Sequence, residues 1–179
     1  DCLEGAERIR DIVQNLRLFT RLDEAEFKHI NLSEGIESTI RLLAEYFLSG
    51  RIVLHREYAD LPTVGCYAGQ LNQVWMNLLI NAAQSIADRG EVCISTSLED
   101  NWVVVQISDT GSGIPQDQLQ RIFDPFFTTK AVGEGTGLGL SVSLGIAEAH
   151  GGSVGLSSEE GAGSTFWIEV PRAPSDVRR

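Results

Sequence analysis

Between Gly133 and Gly139 every second residue is glycine, and the chain then enters an apolar helical pattern that lasts to His150. Glycines placed this way strip the side chains from a helix entrance. The free N–H groups of the first turn and the positive end of the helix dipole then form a cradle for phosphate. The same residues also read as a plain flexible loop. No Gly-Lys-Ser/Thr closes the run, and no strand–helix–strand unit surrounds it, so it is neither a P-loop nor a dinucleotide-binding turn. Lys130, just upstream, can reach a terminal phosphate as a point charge or simply stay solvated. Glycines on both sides of this stretch suggest a mobile lid.

A second glycine-rich turn, Asp109-Thr110-Gly111-Ser112-Gly113-Ile114-Pro115, follows directly on the apolar run 102–107. An acid at a strand end followed by two glycines makes a sharp bend beside a pocket, where a carboxylate can accept from the amine of a ligand. An ordinary turn has the same composition. A third feature lies on a helix expected over 68–87 and ended by Gly90. Gln70, Gln73, Asn77, Asn81 and Gln84 fall on one face, with apolar residues around the rest. Solvated faces usually carry Lys, Glu and Arg. Neutral amide oxygens are hard ligands that can hold Mg²⁺ without repelling phosphate, or the stripe is a set of buried hydrogen bonds.

The remaining elements follow from periodicity and turn residues. A strand is expected over 27–32, a helix over 33–48 with Ser33 as N-cap and Gly50 as stop, and a strand over 51–58. Strands over 91–98 and 102–108 form a hairpin turning at 99–101. A short helix is expected near 116–122 and a longer one over 138–150. Two closing strands, 153–157 and 164–170, turn at Gly161-Ala162-Gly163. Hairpins mixed with helices predict an α+β sandwich, one mixed sheet covered by helices on one face. At the N-terminus, Cys2, Ala6, Ile9, Val13, Leu16 and Thr20 form a coiled-coil seam; an amphipathic helix packed on its own domain is the other reading.

Net charge is −11, from 14 basic and 25 acidic residues, which argues against a nucleic-acid surface but not against a locally held anion. No apolar run is long enough to span a bilayer, so no membrane contact is expected of this stretch. Cys2, Cys66 and Cys93 form no CxxC pair and read as reduced thiols of a cytoplasmic compartment, Cys93 facing a core. His29, His55 and His150 are too scattered for a zinc site.

Together the three sites resemble a known family. The stretch 77–82 resembles the N box of sensor histidine kinases, 109–113 their G1 box, 123–130 their F box and 135–141 their G2 box, in the right order and spacing. "FFTTK" and "GTGLGLS" are most similar to the nitrogen-regulation and dicarboxylate-sensing branch. The fold implied is the Bergerat ATP-binding two-layer α+β sandwich, shared with gyrase, mismatch-repair ATPases and a heat-shock chaperone. Residues 1–24 resemble the second helix of the family's dimerisation hairpin, which implies a homodimer. Residues 25–171 would be the catalytic domain and 172–179 a flexible tail.

The resemblance implies the site. Asp109 would hold the adenine amine, with Gly111, Gly113 and Ile114 beside the base. Asn81 would ligate Mg²⁺, and Asn77 and Lys130 would serve at the phosphates. Gly135, Thr136, Gly137, Leu138, Gly139 and Leu140 would wrap the phosphates, and Thr165 would stand near the adenine. Phe123 and Phe127 would pack the lid. Gln84 departs from the pattern, since some relatives carry a basic residue there. The implied activity is transfer of the ATP γ-phosphoryl to a histidine on an upstream helix, for relay to a response-regulator aspartate. None of the three histidines has the acceptor's context. Alternatives are an ATP hydrolase of the same fold, whose members place a glutamate where Asn77 stands, a serine kinase on this fold, and a degenerate nucleotide-binding module.

Overall fold

The computed structural model describes residues 26–48, 50–130 and 135–172. The N-terminal seam, Gly133, Glu134 and residues 173–179 of the tail lie outside the described residues. The elements are β1 (Phe27–Ile30), α1 (Leu32–Leu42), α2 (Ala44–Phe47), β2 (Ile52–Tyr58), β3 (Val64–Tyr67), α3 (Ala68–Ser85), β4 (Gly90–Glu99), β5 (Trp102–Asp109), α4 (Gly139–Ala149), β6 (Ser153–Glu159) and β7 (Gly163–Pro171).

Five strands form a mixed sheet in the order β2-β4-β5-β7-β6, with β2 parallel to β4 and the other pairs antiparallel. Alternation along the strands builds one apolar face. The cross-strand row Ile94–Ile107–Phe166–Leu156 is followed by Thr96–Val105–Ile168–Val154. Helices α1, α3 and α4 cover this face, and Trp75 of α3 is fully buried in the core. The row at the other end, Val92–Asp109–Ser164–Ser158, carries an acid and two serines on the same face. The α+β sandwich with a mixed sheet is therefore present.

Several expectations need correction. A separate two-stranded sheet, β1 with β3, was not expected; four residues of Val-Gly-Cys-Tyr after a proline carry too little pattern. The cap of α1 is Asn31, not Ser33: Asn31 is extended (φ −81°, ψ 115°) and its side chain accepts from the Ser33 N–H at 3.0 Å. The helix stops at Leu42 because Leu43 leaves helical backbone geometry (φ −95°, ψ 19°), its N–H shared between the Thr39 and Ile40 carbonyls; α2 is a separate short turn. Helix α3 ends at Ser85, and Gly90 opens β4 instead of capping the helix. Residues 116–123 form consecutive turns, not a helix. Cys66 is the buried thiol, its pKa raised by burial to about 11, whereas Cys93 is half-buried.

His150 ties the C-terminal end of α4 to the start of α3. Its Nδ1 lies 2.8 Å from the Ile146 carbonyl, and its Nε2 accepts from the Tyr67 N–H at 3.1 Å. Both contacts are met only by the neutral imidazole with its proton on Nδ1, and burial lowers the pKa below 6.5. The unfolded chain therefore binds this proton first. Stability is full above about pH 6.5 and falls as pH drops toward the lower folded value. Thermal melts from pH 7.5 to 5.5 should show this loss, and His150→Asn should flatten it.

Candidate functional site

The site runs along one side of α3. At its C-terminal end, Asp109 closes β5 and is buried, only 8% exposed. Its Oδ1 accepts from the Gly111 N–H at 2.8 Å and lies 2.9 Å from Ser85 Oγ. Burial raises the carboxyl pKa; the hydrogen bonds from Gly111, Ser85 and the Ser164 backbone pull the other way without cancelling it. Gly111 is required by closeness: a Cβ there would sit 2.0 Å from Ser85 Oγ and 2.7 Å from the Ser85 carbonyl carbon. The Ser112 N–H donates to the Ser85 carbonyl, which docks the turn on the helix end. Gly113 packs on the Glu159 carbonyl, and the Ile114 N–H donates to Ser158 Oγ at 2.9 Å.

One to two turns back along α3 lie the amides. The Lys130 ammonium donates to Asn81 Oδ1 at 3.2 Å and to Gln84 Oε1. Two neutral amide oxygens thus already converge on a cation. Farther back, Asn77 Nδ2 lies 3.0 Å from the Gly139 carbonyl and 3.2 Å from Ser143 Oγ, fastening α3 to the first turn of α4. Among the described residues no side chain caps α4. Thr136 Oγ1 accepts from the Leu138 N–H at 3.4 Å, shaping the entry.

The segment before Lys130 is pinned to the glycine turn. The Phe126 N–H donates to the Gly137 carbonyl at 2.9 Å. Gly137 has φ +67°, and a Cβ there would lie 2.4 Å from the Phe126 carbonyl carbon, so only glycine fits. Phe123 and Phe127 pack against the core, with the Arg121 guanidinium 4.8 Å from the Phe127 ring centre. Phe126 itself is 70% exposed. Among the described residues no group of three His, Cys, Asp or Glu could hold a metal.

Asp109 with Gly111, Lys130 with Asn81, and Gly139 with Asn77 thus meet along α3, while Gly113 and Ile114 pack on the end of β6. Thr165 does not join them. It sits on the opposite face of β7 and donates to Ser108 Oγ at 2.9 Å. Side chains alternate along a strand, so its neighbour Ser164, cross-strand partner of Asp109, faces the site. The threonine that the resemblance implied thus has its side chain on the face away from Asp109. Ser85, Ser158 and Ser164 were not singled out from the sequence; the pairing of Asp109 with the strand after Gly163 was the signal for Ser164.

Residues 67–174 match the family described as "Histidine kinase-, DNA gyrase B-, and HSP90-like ATPase". The chain belongs to this family. The histidine kinase-, gyrase- and HSP90-like ATPase fold accounts for the mixed sheet and the helix layer. Sensor histidine kinase ZraS of Escherichia coli K12 is 36% identical over 167 residues, 93% of this chain and 36% of that protein. The chain thus spans about a third of that relative's length. The catalytic domain of histidine kinase ThkA superposes with a TM-score of 0.75 at 33% identity, covering 83% of this chain and 97% of that one. ThkA in complex with response regulator protein TrrA gives 0.74 at 25% identity, over 94% of this chain and 50% of that one. Full-length ShkA in complex with AMPPNP gives 0.81 at 28% identity, over 96% and 37%. Among the described residues no helix is long and apolar enough to cross a membrane.

Proposed function

We propose that this domain is the catalytic part of a cytoplasmic sensor histidine kinase. It binds ATP with Mg²⁺ and presents the γ-phosphoryl to a histidine on a helix of the parent protein, for relay to a response regulator. Asp109 accepts from the adenine amine. Asn81, with its amide oxygen already facing a cation, holds Mg²⁺, which supplies charge neutralisation at the phosphate oxygens. The uncapped first turn of α4 receives the phosphates, and Lys130 moves from the amides to the terminal phosphate. In the transfer, a histidine ring nitrogen forms a bond to the γ-phosphorus while the bond to the bridging oxygen breaks and ADP leaves. The role of the domain is positioning.

The observation that carries transfer over hydrolysis is Asn77. Its Nδ2 donates to the Gly139 carbonyl, and an amide cannot take a proton from water as a carboxylate would. The parent protein incubated with radiolabelled ATP should gain an acid-labile, base-stable phosphate. Rapid ATP turnover by the 179-residue chain alone would sink this reading in favour of a hydrolase. An acid-stable phosphate would point to a serine kinase. For the metal, AMPPNP titrated with and without Mg²⁺ should bind about tenfold tighter with it, the scale of one charge-assisted contact. Asn81→Ala should remove that gain and leave the Mg²⁺-free affinity unchanged.

A further inference from the structure

We infer that Ser85 is a positioning residue that fixes the Asp109 carboxylate for recognition of the 6-amino group of a purine nucleotide. This rests on the reading of Asp109 as the adenine acceptor. A carboxylate offers about four lone-pair positions. Donors from Gly111, Ser85 and the Ser164 backbone bear on Asp109, which leaves capacity for one more. Two of these donors are backbone N–H groups, set by the turn and the ladder. Ser85 supplies the remaining one from a side chain, on the last residue of α3.

Its placement is tightly determined. The Ser85 Oγ lies 2.8 Å from the Ala82 carbonyl and 2.9 Å from Asp109 Oδ1. Back-bonding to a carbonyl in the preceding turn is one common arrangement for a helical serine. The hydroxyl has one proton, and the ionised carboxylate is the stronger acceptor. Gly111, lacking a Cβ, brings the turn close enough for the two to meet, and the Ser112 N–H on the Ser85 carbonyl holds the register. Without the hydroxyl, Asp109 keeps only the backbone donors of Gly111 and Ser164, and the carboxylate is held less firmly in the orientation that faces the amine. A donor amine at purine position 6 then loses its acceptor. A purine with hydrogen at that position loses nothing.

The test compares Mg-ADP with Mg-purine riboside 5′-diphosphate, which lacks the 6-amino group, by calorimetry on wild type, Ser85→Ala and Asp109→Asn. Ser85→Ala should bind ADP about tenfold more weakly, on the scale of a hydrogen bond to a charged group, and bind the 6-hydrogen analogue as wild type does. The unchanged analogue also reports an intact fold. Equal weakening of both ligands, or of neither, overturns the role of Ser85 while a wild-type preference for ADP that Asp109→Asn removes leaves the Asp109 reading standing. A wild type that does not prefer ADP overturns both.

Discussion

Asp109→Asn is expected to weaken AMPPNP binding by about a hundredfold while leaving the domain at least as stable at pH 7 as the wild type. The loss has two parts. One is the exchange of a charged acceptor for a neutral one; the other is the new NH₂ group, which must face either a backbone N–H or the ligand amine. A charge-assisted hydrogen bond and an unsatisfied donor together amount to about 3 kcal/mol, or roughly a hundredfold. The stability argument runs the opposite way. Burial holds the Asp109 carboxyl above its ordinary value of 3.8. The folded state therefore binds this proton more tightly than the unfolded chain does. Stability falls as pH rises from about 3.8 through the raised value, and above that value the cost is fully present. Asparagine never carries the charge. Calorimetric titration and thermal melts on the same samples test both halves. Loss of binding together with a melting temperature several degrees lower would make Asp109 a structural residue and remove the case for a ligand there.

This combination is what a binding residue in a low-dielectric site should show, since acids held against their solvation preference mark functional positions. The residue was legible in the sequence because an acid at the end of an apolar strand, followed by Gly-Ser-Gly, is a local signal. The amides of α3 were legible for the same reason: period 3.6 puts Asn77, Asn81 and Gln84 on one side without any tertiary knowledge. What Asn77 does with its amide was not legible. Its partners, the Gly139 carbonyl and Ser143, are 62 and 66 residues away in the chain. Ser85 was hidden likewise, since a serine at a helix end is ordinary until the turn after β5 is folded against it. Thr165 was named from a motif match, which carries no strand register; the register pairs it with Ser108 and turns Ser164 toward Asp109 instead. The small β1–β3 sheet failed for lack of length. Its pairing depends on Gly65, where a Cβ would lie 2.8 Å from the Phe27 ring, and that contact has no counterpart in a single-strand pattern.

Gly111→Ala should damage both stability and binding by adding a single methyl group. Gly111 does not have a positive φ, so the objection is steric alone. The new Cβ would fall 2.0 Å from Ser85 Oγ, 2.5 Å from Ser85 Cβ and 2.7 Å from the Ser85 carbonyl carbon. A hydroxyl could rotate away; a Cβ and a helix backbone cannot. The turn must therefore lift from the end of α3, which breaks the 3.0 Å bond from the Ser112 N–H to the Ser85 carbonyl and the 2.8 Å bond from the Gly111 N–H to Asp109. Overpacking of this kind costs about 1–3 kcal/mol and each lost hydrogen bond about 1 kcal/mol. These add to about 3–5 kcal/mol, so in a chain of this size the melting temperature should drop by roughly 6–20 °C. AMPPNP affinity should fall at least as far as in Asp109→Asn, because the carboxylate loses its position as well as a donor. Gly145→Ala on α4 is the matched control. It lies inside a helix, with nothing within 4 Å of the added Cβ, and should raise stability by about 1 kcal/mol without changing affinity. If Gly111→Ala melts and binds as wild type does, the turn is not seated on α3 as described, and the reasoning that places Asp109 and Ser85 together fails with it.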